Sequence, residues 1–164
     1  QIIKEDGVVP VAVLLTHGHF DHAMAAQEVA EQYGIKIYAH ETEKETLETP
    51  QINLSGMIGR TLTFHADCYV KDGEILNLAG FEIRVLHTPG HTQGGVCYYI
   101  EEEKALFSGD TLADSNSPGP ELCVPRWAKT ALQAVFRARL ANLPAPTKKC
   151  SASRDAEQKI TYSA

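Results

Sequence analysis

The sequence lacks two features: an apolar stretch long enough for a membrane-spanning helix, and an excess of positive charge. A transmembrane helix needs about 20 consecutive apolar residues, and every apolar run here is far shorter. Lysine and arginine number 15 against 21 aspartates and glutamates, so the formal net charge is −6. Such an acidic chain is a poor partner for a phosphate backbone. We therefore expect neither a membrane nor a nucleic acid as a partner.

Cysteine is also scarce, and its spacing shows no paired motif. The four cysteines form no C-x-x-C pair; they are Cys68, Cys97, Cys123 and Cys150. Free thiols in the reducing cytosol are the simplest interpretation, so we expect a cytoplasmic protein. Cys97 alternates with apolar neighbours in a predicted strand, and we expect it in the core.

The size and composition indicate one globular domain. The chain has 164 residues, 43% apolar and 22% charged, which is typical of a protein with a real core. We predict a domain over residues 1–150. A polar segment over residues 151–164 is expected to be a disordered tail.

The densest group of potential metal ligands is residues 17–22, with the sequence HGHFDH. It follows the apolar run 11–15, which predicts a buried first strand over residues 8–16. It precedes a predicted helix over residues 21–33. The group would therefore lie at the carboxyl end of a strand, where open α/β sheets place their ligand sites.

The spacing within this group suits metal binding. Side chains two positions apart in an extended segment point the same way, so His17 and His19 can converge on one ion. Gly18 allows the backbone to bend close to that ion. Asp21 and His22 lie where the chain turns into the helix and can face a second ion. Imidazole with carboxylate suits zinc, iron or manganese rather than calcium. Solvated loop histidines are the alternative, and the density of ligands beside a buried strand argues against it.

Hydrophobic alternation and turn residues predict the remaining elements. They are a helix end over 1–6, a strand over 35–39, an acidic solvated helix over 41–48, a substrate-side loop over 49–65, hairpin strands over 69–78 and 81–87, a second hairpin over 96–100 and 105–108, and a helix over 127–143. His40 is expected to cap the acidic helix or to lie on the surface. His65 is expected to be exposed, and His87 to support the site or the fold.

Three stretches in order carry a resemblance to a known family. Residues 17–22 match the H-x-H-x-D-H signature, and residues 88–95 (TPGHTQGG) and 107–112 (FSGDTL) follow it. The sequence thereby resembles the metallo-β-lactamase superfamily, and within it the small glyoxalase II-like, or hydroxyacylglutathione hydrolase-like, enzymes. The resemblance covers roughly residues 8–112. It implies an α/β fold, the αββα sandwich, here expected to lack its first strands and helix. The sheet edge left unpaired would favour a homodimer.

The resemblance also implies a metal centre. It assigns six ligands to two ions. The first ion would be bound by His17, His19 and His91, and the second by Asp21 and His22. Asp110 would bridge both ions. Zinc is the expected metal, as one or two ions, with iron or manganese as alternatives. Asp21 would in addition be catalytic, by handling a proton.

The activity implied is hydrolysis of a small thioester of the hydroxyacyl-glutathione type, in which a hydroxide held by the metal attacks the acyl carbonyl. A mono-iron oxygenase of the same fold that acts on persulfides is an alternative, and a β-lactamase fits less well. An inactive remnant is a third possibility, because no histidine follows His91, whereas the family usually places a terminal histidine at the second ion. A frameshift near residues 149–154 would explain that ending. Because the terminal histidine is missing, we expect the second ion to bind weakly or to take a water molecule in its place.

Overall fold

The computed structural model describes residues 9–112 and 148–150. The first sheet contains β1 (Ala12–Leu14), β2 (Lys36–His40) and β3 (Cys68–Val70), parallel and in that order. The second sheet contains β4 (Ile75–Leu78), β5 (Phe81–His87), β6 (Val96–Ile100), β7 (Ala105–Phe107) and β8 (Lys148–Cys150). Strands β4 to β7 are antiparallel, and β8 pairs with β7 in parallel.

The helices of the described residues are short. They are α1 (Phe20–Ala23), α2 (Ala26–Tyr33) and α3 (Lys44–Glu48), with 3-10 turns at Glu41–Glu43, Ser55–Ile58 and Gly109–Leu112. Helix α2 ends at Gly34, whose positive φ of 65° allows its N–H to bond to the Ala30 carbonyl. The predicted helix end over 1–6, the helix over 127–143 and the tail over 151–164 lie outside the described residues.

Two apolar clusters fill the spaces between the layers. The first lies between the helices and the first sheet, and includes Ala26 and Ala30 of α2 with Ile37 of β2. The second lies between the two sheets, where Val85 and Tyr98 meet residues of the first sheet. The described residues thus form helices, a sheet and a second sheet in successive layers. Within them, no helix is both long and apolar enough to cross a bilayer.

The turn chemistry of the second sheet agrees with the sequence. Ala79 and Gly80 join β4 to β5, and both have positive φ, as a two-residue type I′ turn requires. Strand β6 is buried along its whole length. Cys97 of that strand is fully buried, which confirms its predicted place in the core. It contributes to a third cluster, with Leu86 and Tyr99, on the other face of the second sheet.

The single helix predicted over residues 21–33 is wrong, because the chain turns between α1 and α2. Ala23, Ala26 and Ala30 are all buried with helical spacing, and this pattern cannot distinguish one helix from two. The start of α1 is fixed by another segment, since the Phe20 N–H donates to the Asn53 carbonyl at 2.8 Å. A tertiary contact therefore fixes where this helical segment begins.

The single strand predicted over residues 69–78 is also wrong. Its first part is β3 of the first sheet and its second part is β4 of the second sheet. Gly73 has a φ of 77°, and the Glu74 N–H closes a turn on the Lys71 carbonyl at 3.2 Å. The turn residues between the two apolar halves carry the chain from one sheet to the other. The first strand is likewise shorter than predicted, and β2 extends to His40.

Candidate metal centre

Three loops meet where β1, β5 and β7 end. The loop after β1 is joined to the second sheet, because the Val96 N–H donates to the Thr16 carbonyl at 2.8 Å. The hydroxyls of Thr88 and Thr111 lie 3.1 Å apart and connect the loops after β5 and β7. The loops are therefore fixed to both sheets, which gives the side chains they carry a rigid base.

A first group of ligands consists of His17, His19 and His91, with one ligand atom of each within 4.8 Å of the others. The Nε2 of His91 lies 2.9 Å from the Nδ1 of His19. The ring of His17 makes edge contacts with both of these rings, at centroid distances of 4.8 Å. Three imidazoles from two separate loops thus converge on one point, as a three-histidine metal site requires.

A second group consists of His17, His22 and Asp110, again within 4.8 Å. One oxygen of Asp110 lies 3.3 Å from the Nε2 of His22, and the other lies 3.3 Å from the Nε2 of His91. The carboxylate therefore spans the two groups, and His17 belongs to both. Asp21 is the one predicted ligand outside these two groups. Its carboxylate is 4.0 Å from the Nε2 of His22, and its side chain is 28% exposed.

The hydrogen bonding of His17 shows that these residues fit a metal ion. Its side chain is 2% exposed, and its Nδ1 lies 3.2 Å from the Thr16 hydroxyl. Its Nε2 is buried and finds no hydrogen-bond partner within the part of the chain that the structure describes. A buried polar atom in that state costs free energy. Ligation of a metal by Nε2, with Nδ1 oriented by a neighbour, would satisfy it.

The electrostatics favour the protonation states that bind metal. Burial, followed by the charge of His91, lowers the pKa of His19 to about 4. Burial and then the charge of His22 hold the pKa of His17 well below 6.5. Burial alone would raise the pKa of Asp110, but the hydrogen bond with His22 and the imidazole charges lower it to about 2. Near pH 7, His17 and His19 therefore offer neutral imidazoles and Asp110 offers an ionised carboxylate, as metal ligation needs.

These shifts predict that the metal-free protein becomes less stable on acidification. The pKa of His19 is about 4 in the folded state against 6.5 as its ordinary value. Between these values the unfolded chain binds more protons, so the free energy of unfolding falls as the pH drops through this window. The loss from His19 alone is roughly 3 kcal/mol over the whole window, of which roughly 2 kcal/mol falls between pH 7.5 and 5. Urea unfolding after chelation, at pH 7.5, 6 and 5, measures it. A free energy that stays constant from pH 7.5 to 5 would contradict the burial of these imidazoles, and His19→Gln should show a shallower dependence.

Glu43 is a residue of the site that the sequence did not indicate. The acidic helix over 41–48 was expected to be solvated, but Glu43 is only 1% exposed. Burial raises the pKa of Glu43, although hydrogen bonds from Gly18, Thr92, Gly94 and Thr46 act in the opposite direction. The available signal was its spacing of four from the apolar Leu47, which places both on one helical face. Sequence alone could not show the two loops that contact it.

Two further histidines lie beside the loop of His91. The Nδ1 of His40 accepts from the Thr42 N–H, which confirms the capping role, but His40 is buried rather than on the surface. Its ring stacks on that of His87, with centroids 4.2 Å apart. The Nε2 of His87 lies 3.0 Å from the carbonyl of Gln93. His65, by contrast, is exposed as expected and lies 3.5 Å from Glu48.

Comparisons with known proteins establish the family of the chain. The model of the metallo-β-lactamase superfamily matches residues 2–145. The chain belongs to this superfamily. A probable metallo-hydrolase of Bacillus subtilis, YqgX, is 45% identical over 115 residues, which are 68% of this chain and 54% of that protein. The hydroxyacylglutathione hydrolase GloC of Haemophilus influenzae is 36% identical over 115 residues, with the same two coverages of 68% and 54%. The chain spans about half the length of these two relatives.

Solved structures of the superfamily confirm the predicted α/β fold. The B3 metallo-β-lactamase BLEG-1 matches with a TM-score of 0.80 and 35% identity, over 92% of this chain and 72% of that one. TTHA1623, solved in a di-iron-bound form, matches with a TM-score of 0.72 and 29% identity, over 92% of this chain and 73% of that one. The resemblance inferred from three short motifs is thus a relationship that extends over most of the chain.

Proposed function

We propose that this metallo-β-lactamase superfamily member is a metal-dependent hydrolase of thioesters of the hydroxyacyl-glutathione type. The observation that carries the proposal is the pair of ligand groups that share His17 and are spanned by the Asp110 carboxylate. Two adjacent cation sites joined by one carboxylate suit hydrolysis of an acyl bond without a serine or cysteine nucleophile. The 36% identity to a hydroxyacylglutathione hydrolase supports a thioester as the substrate.

The proposed ligands follow from the two groups. His17, His19 and His91 would hold one ion, while His22 and Asp110 would hold the other. Ions held there would lower the pKa of a water molecule toward neutrality and polarise an acyl carbonyl group. Zinc is the proposed metal, as one or two ions, since imidazole and carboxylate suit it. Iron is the alternative, and the di-iron form of a 29% identical relative supports that choice.

Asp21 is proposed to move the proton. It lies beside the second group, with its carboxylate 4.0 Å from the Nε2 of His22. Because its side chain is 28% exposed, its oxygens can exchange a proton with solvent. Asp110 is less exposed and lies between imidazoles, so we assign it to holding ions rather than to proton transfer.

The direct test is release of free thiol from S-lactoylglutathione by the purified chain. We expect hydrolysis that is lost after dialysis against a chelator and is restored by zinc. His65→Ala is a suitable control, because this exposed histidine contacts Glu48 rather than the ligand groups, and it should retain full activity. A chain loaded with metal that releases no thiol would contradict the proposal.

Hydrolysis of a β-lactam is the second candidate, and one observation favours it. BLEG-1 is a B3 metallo-β-lactamase and is 35% identical over 92% of this chain. Nitrocefin turnover, measured beside the thioester assay, compares the two activities. Oxygen uptake with glutathione persulfide, in iron-loaded protein, tests the oxygenase alternative in the same series. We expect thioester hydrolysis to exceed both.

A further inference from the structure

One buried carboxylate joins the two loops that carry the first ligand group. Glu43 lies in the 3-10 turn that follows β2. Its Oε1 accepts from the Gly18 N–H at 2.8 Å. Its Oε2 accepts from the Gly94 N–H at 2.7 Å and from the Thr92 hydroxyl at 3.0 Å. Each oxygen therefore contacts a different loop.

The donors to Glu43 lie next to the proposed metal ligands in the sequence. Gly18 lies between His17 and His19, so its N–H belongs to the segment that carries two ligands. Thr92 directly follows His91, and Gly94 is two residues further on. His17 and His19 thus lie on either side of a residue that is bonded to Glu43. His91 lies in the loop that contains the other two residues bonded to Glu43. The carboxylate itself is anchored beyond the end of β2, the central strand of the first sheet.

The packing around the two glycines leaves no room for a larger residue. A Cβ on Gly94 would lie 2.5 Å from both the backbone nitrogen and the Oε2 of Glu43. A Cβ on Gly18 would lie 3.0 Å from the side chain of Leu47, one turn along from Glu43. Glycine at both positions therefore allows the loops to approach Glu43 closely.

We propose that Glu43 is a positioning residue for the metal centre, which sets the separation between the segment of His17 and His19 and the loop of His91. The inference rests on the proposed function insofar as the first group holds a metal ion. Glu43 does not contact the ion or a substrate in this account. It acts through the backbone of the residues beside the ligands, as supporting hydrogen bonds do in metal sites.

A carboxylate suits this position because both loops reach it with a backbone N–H group, which can only donate. Both oxygens of an ionised carboxylate accept hydrogen bonds, whereas a glutamine side chain offers one acceptor and one NH₂ donor. In Glu43→Gln the NH₂ group must face a donor, either the Gly18 N–H or the Gly94 N–H. The side chain keeps its size, but one of these two backbone N–H groups loses its acceptor. The change should therefore alter the spacing of the ligands more than the packing.

The test compares Glu43→Gln with Glu45→Gln, which makes the same change at an exposed position two residues away. Zinc affinity is measured by competition with a chromogenic chelator, on protein shown to be folded by circular dichroism. We expect roughly 10- to 100-fold weaker zinc binding in Glu43→Gln and no change in Glu45→Gln. The visible spectrum of bound cobalt(II) should also change in Glu43→Gln, because the ligand geometry differs. A folded Glu43→Gln protein with unaltered zinc affinity and cobalt spectrum would overturn the proposal.

A milder variant keeps the test decisive if Glu43→Gln does not fold. Thr92→Val removes only the hydroxyl that donates to Oε2 and preserves the shape of the side chain. We expect weaker zinc binding in the same direction but by a smaller factor. Unchanged zinc affinity in folded Thr92→Val, when Glu43→Gln does not fold, would overturn the positioning role. Both readouts need no substrate, so absence of thioester hydrolysis in the unmodified chain would refute the proposed function and not this inference.

Discussion

Replacement of His17 by alanine is expected to abolish tight metal binding at the first ligand group. His17 supplies one of the three imidazoles proposed to hold the first ion, through its buried Nε2. The proposed thioester hydrolysis should fall on the order of 10³-fold or more, because it would depend on the ions. Elemental analysis of the desalted variant, together with its rate of thiol release, measures the two effects. The variant must first be shown to fold, since the imidazole is buried and its removal leaves a cavity.

His91→Ala and His22→Ala are the matched comparisons for His17→Ala. His91 belongs to the first group alone, and His22 belongs to the second alone. Each should weaken one site and leave ligands at the other. If His17→Ala retained as much metal as His22→Ala, the assignment of His17 to the tightly held first ion would be wrong.

The second large effect is expected from Asp110→Asn. Asparagine has nearly the same shape, but it removes the negative charge and replaces one oxygen with an NH₂ group. The Asp110 oxygens lie 3.3 Å from His22 and 3.3 Å from His91, so the amide would place a donor next to one imidazole nitrogen. We expect the three histidines to keep the first ion and the second ion to be lost, with hydrolysis reduced on the order of 10²-fold.

The measurement for Asp110→Asn is metal content and hydrolysis rate on the same preparation. A chain that holds two ions should fall to about one, and a chain that holds one should keep it with lower affinity. Asp67→Asn is a useful control, because the Asp67 carboxylate accepts from the Ile37 N–H in the first sheet and is distant in sequence from every ligand. An Asp110→Asn protein with unchanged metal content and rate would contradict a bridging carboxylate.

Local sequence spacing predicted the ligands of one short segment of this site, and the family resemblance predicted the ligands from the other loops. Residues 17–22 place four potential ligands in one short segment, so spacing alone predicts a metal site there. His91 and Asp110 are far away in the sequence, and only the family resemblance assigned them to it. The structure then brings both beside His17, because the loops after β5 and β7 end at the same edge as the loop after β1.

Other features depend on contacts between distant segments, which local sequence patterns do not predict. The Phe20 N–H bonds to Asn53 and fixes a helix start that alanine spacing cannot show. The turn at Gly73 moves the chain between two sheets, although the apolar residues on both sides have strand character. In the sequence, Glu43 resembles the solvated acidic residues around it. Its buried position depends on the contacts with Gly18 and Gly94, which only the folded structure shows. In each case the partner is supplied by a segment distant in the sequence.

The most direct test of a metal centre in this chain is the number of metal ions per chain, by elemental analysis after desalting. The two ligand groups predict at least one tightly held zinc or iron ion, and a second ion held more weakly by His22 and Asp110. A folded chain that retains close to no metal, and that takes up none when zinc is supplied, would contradict the account.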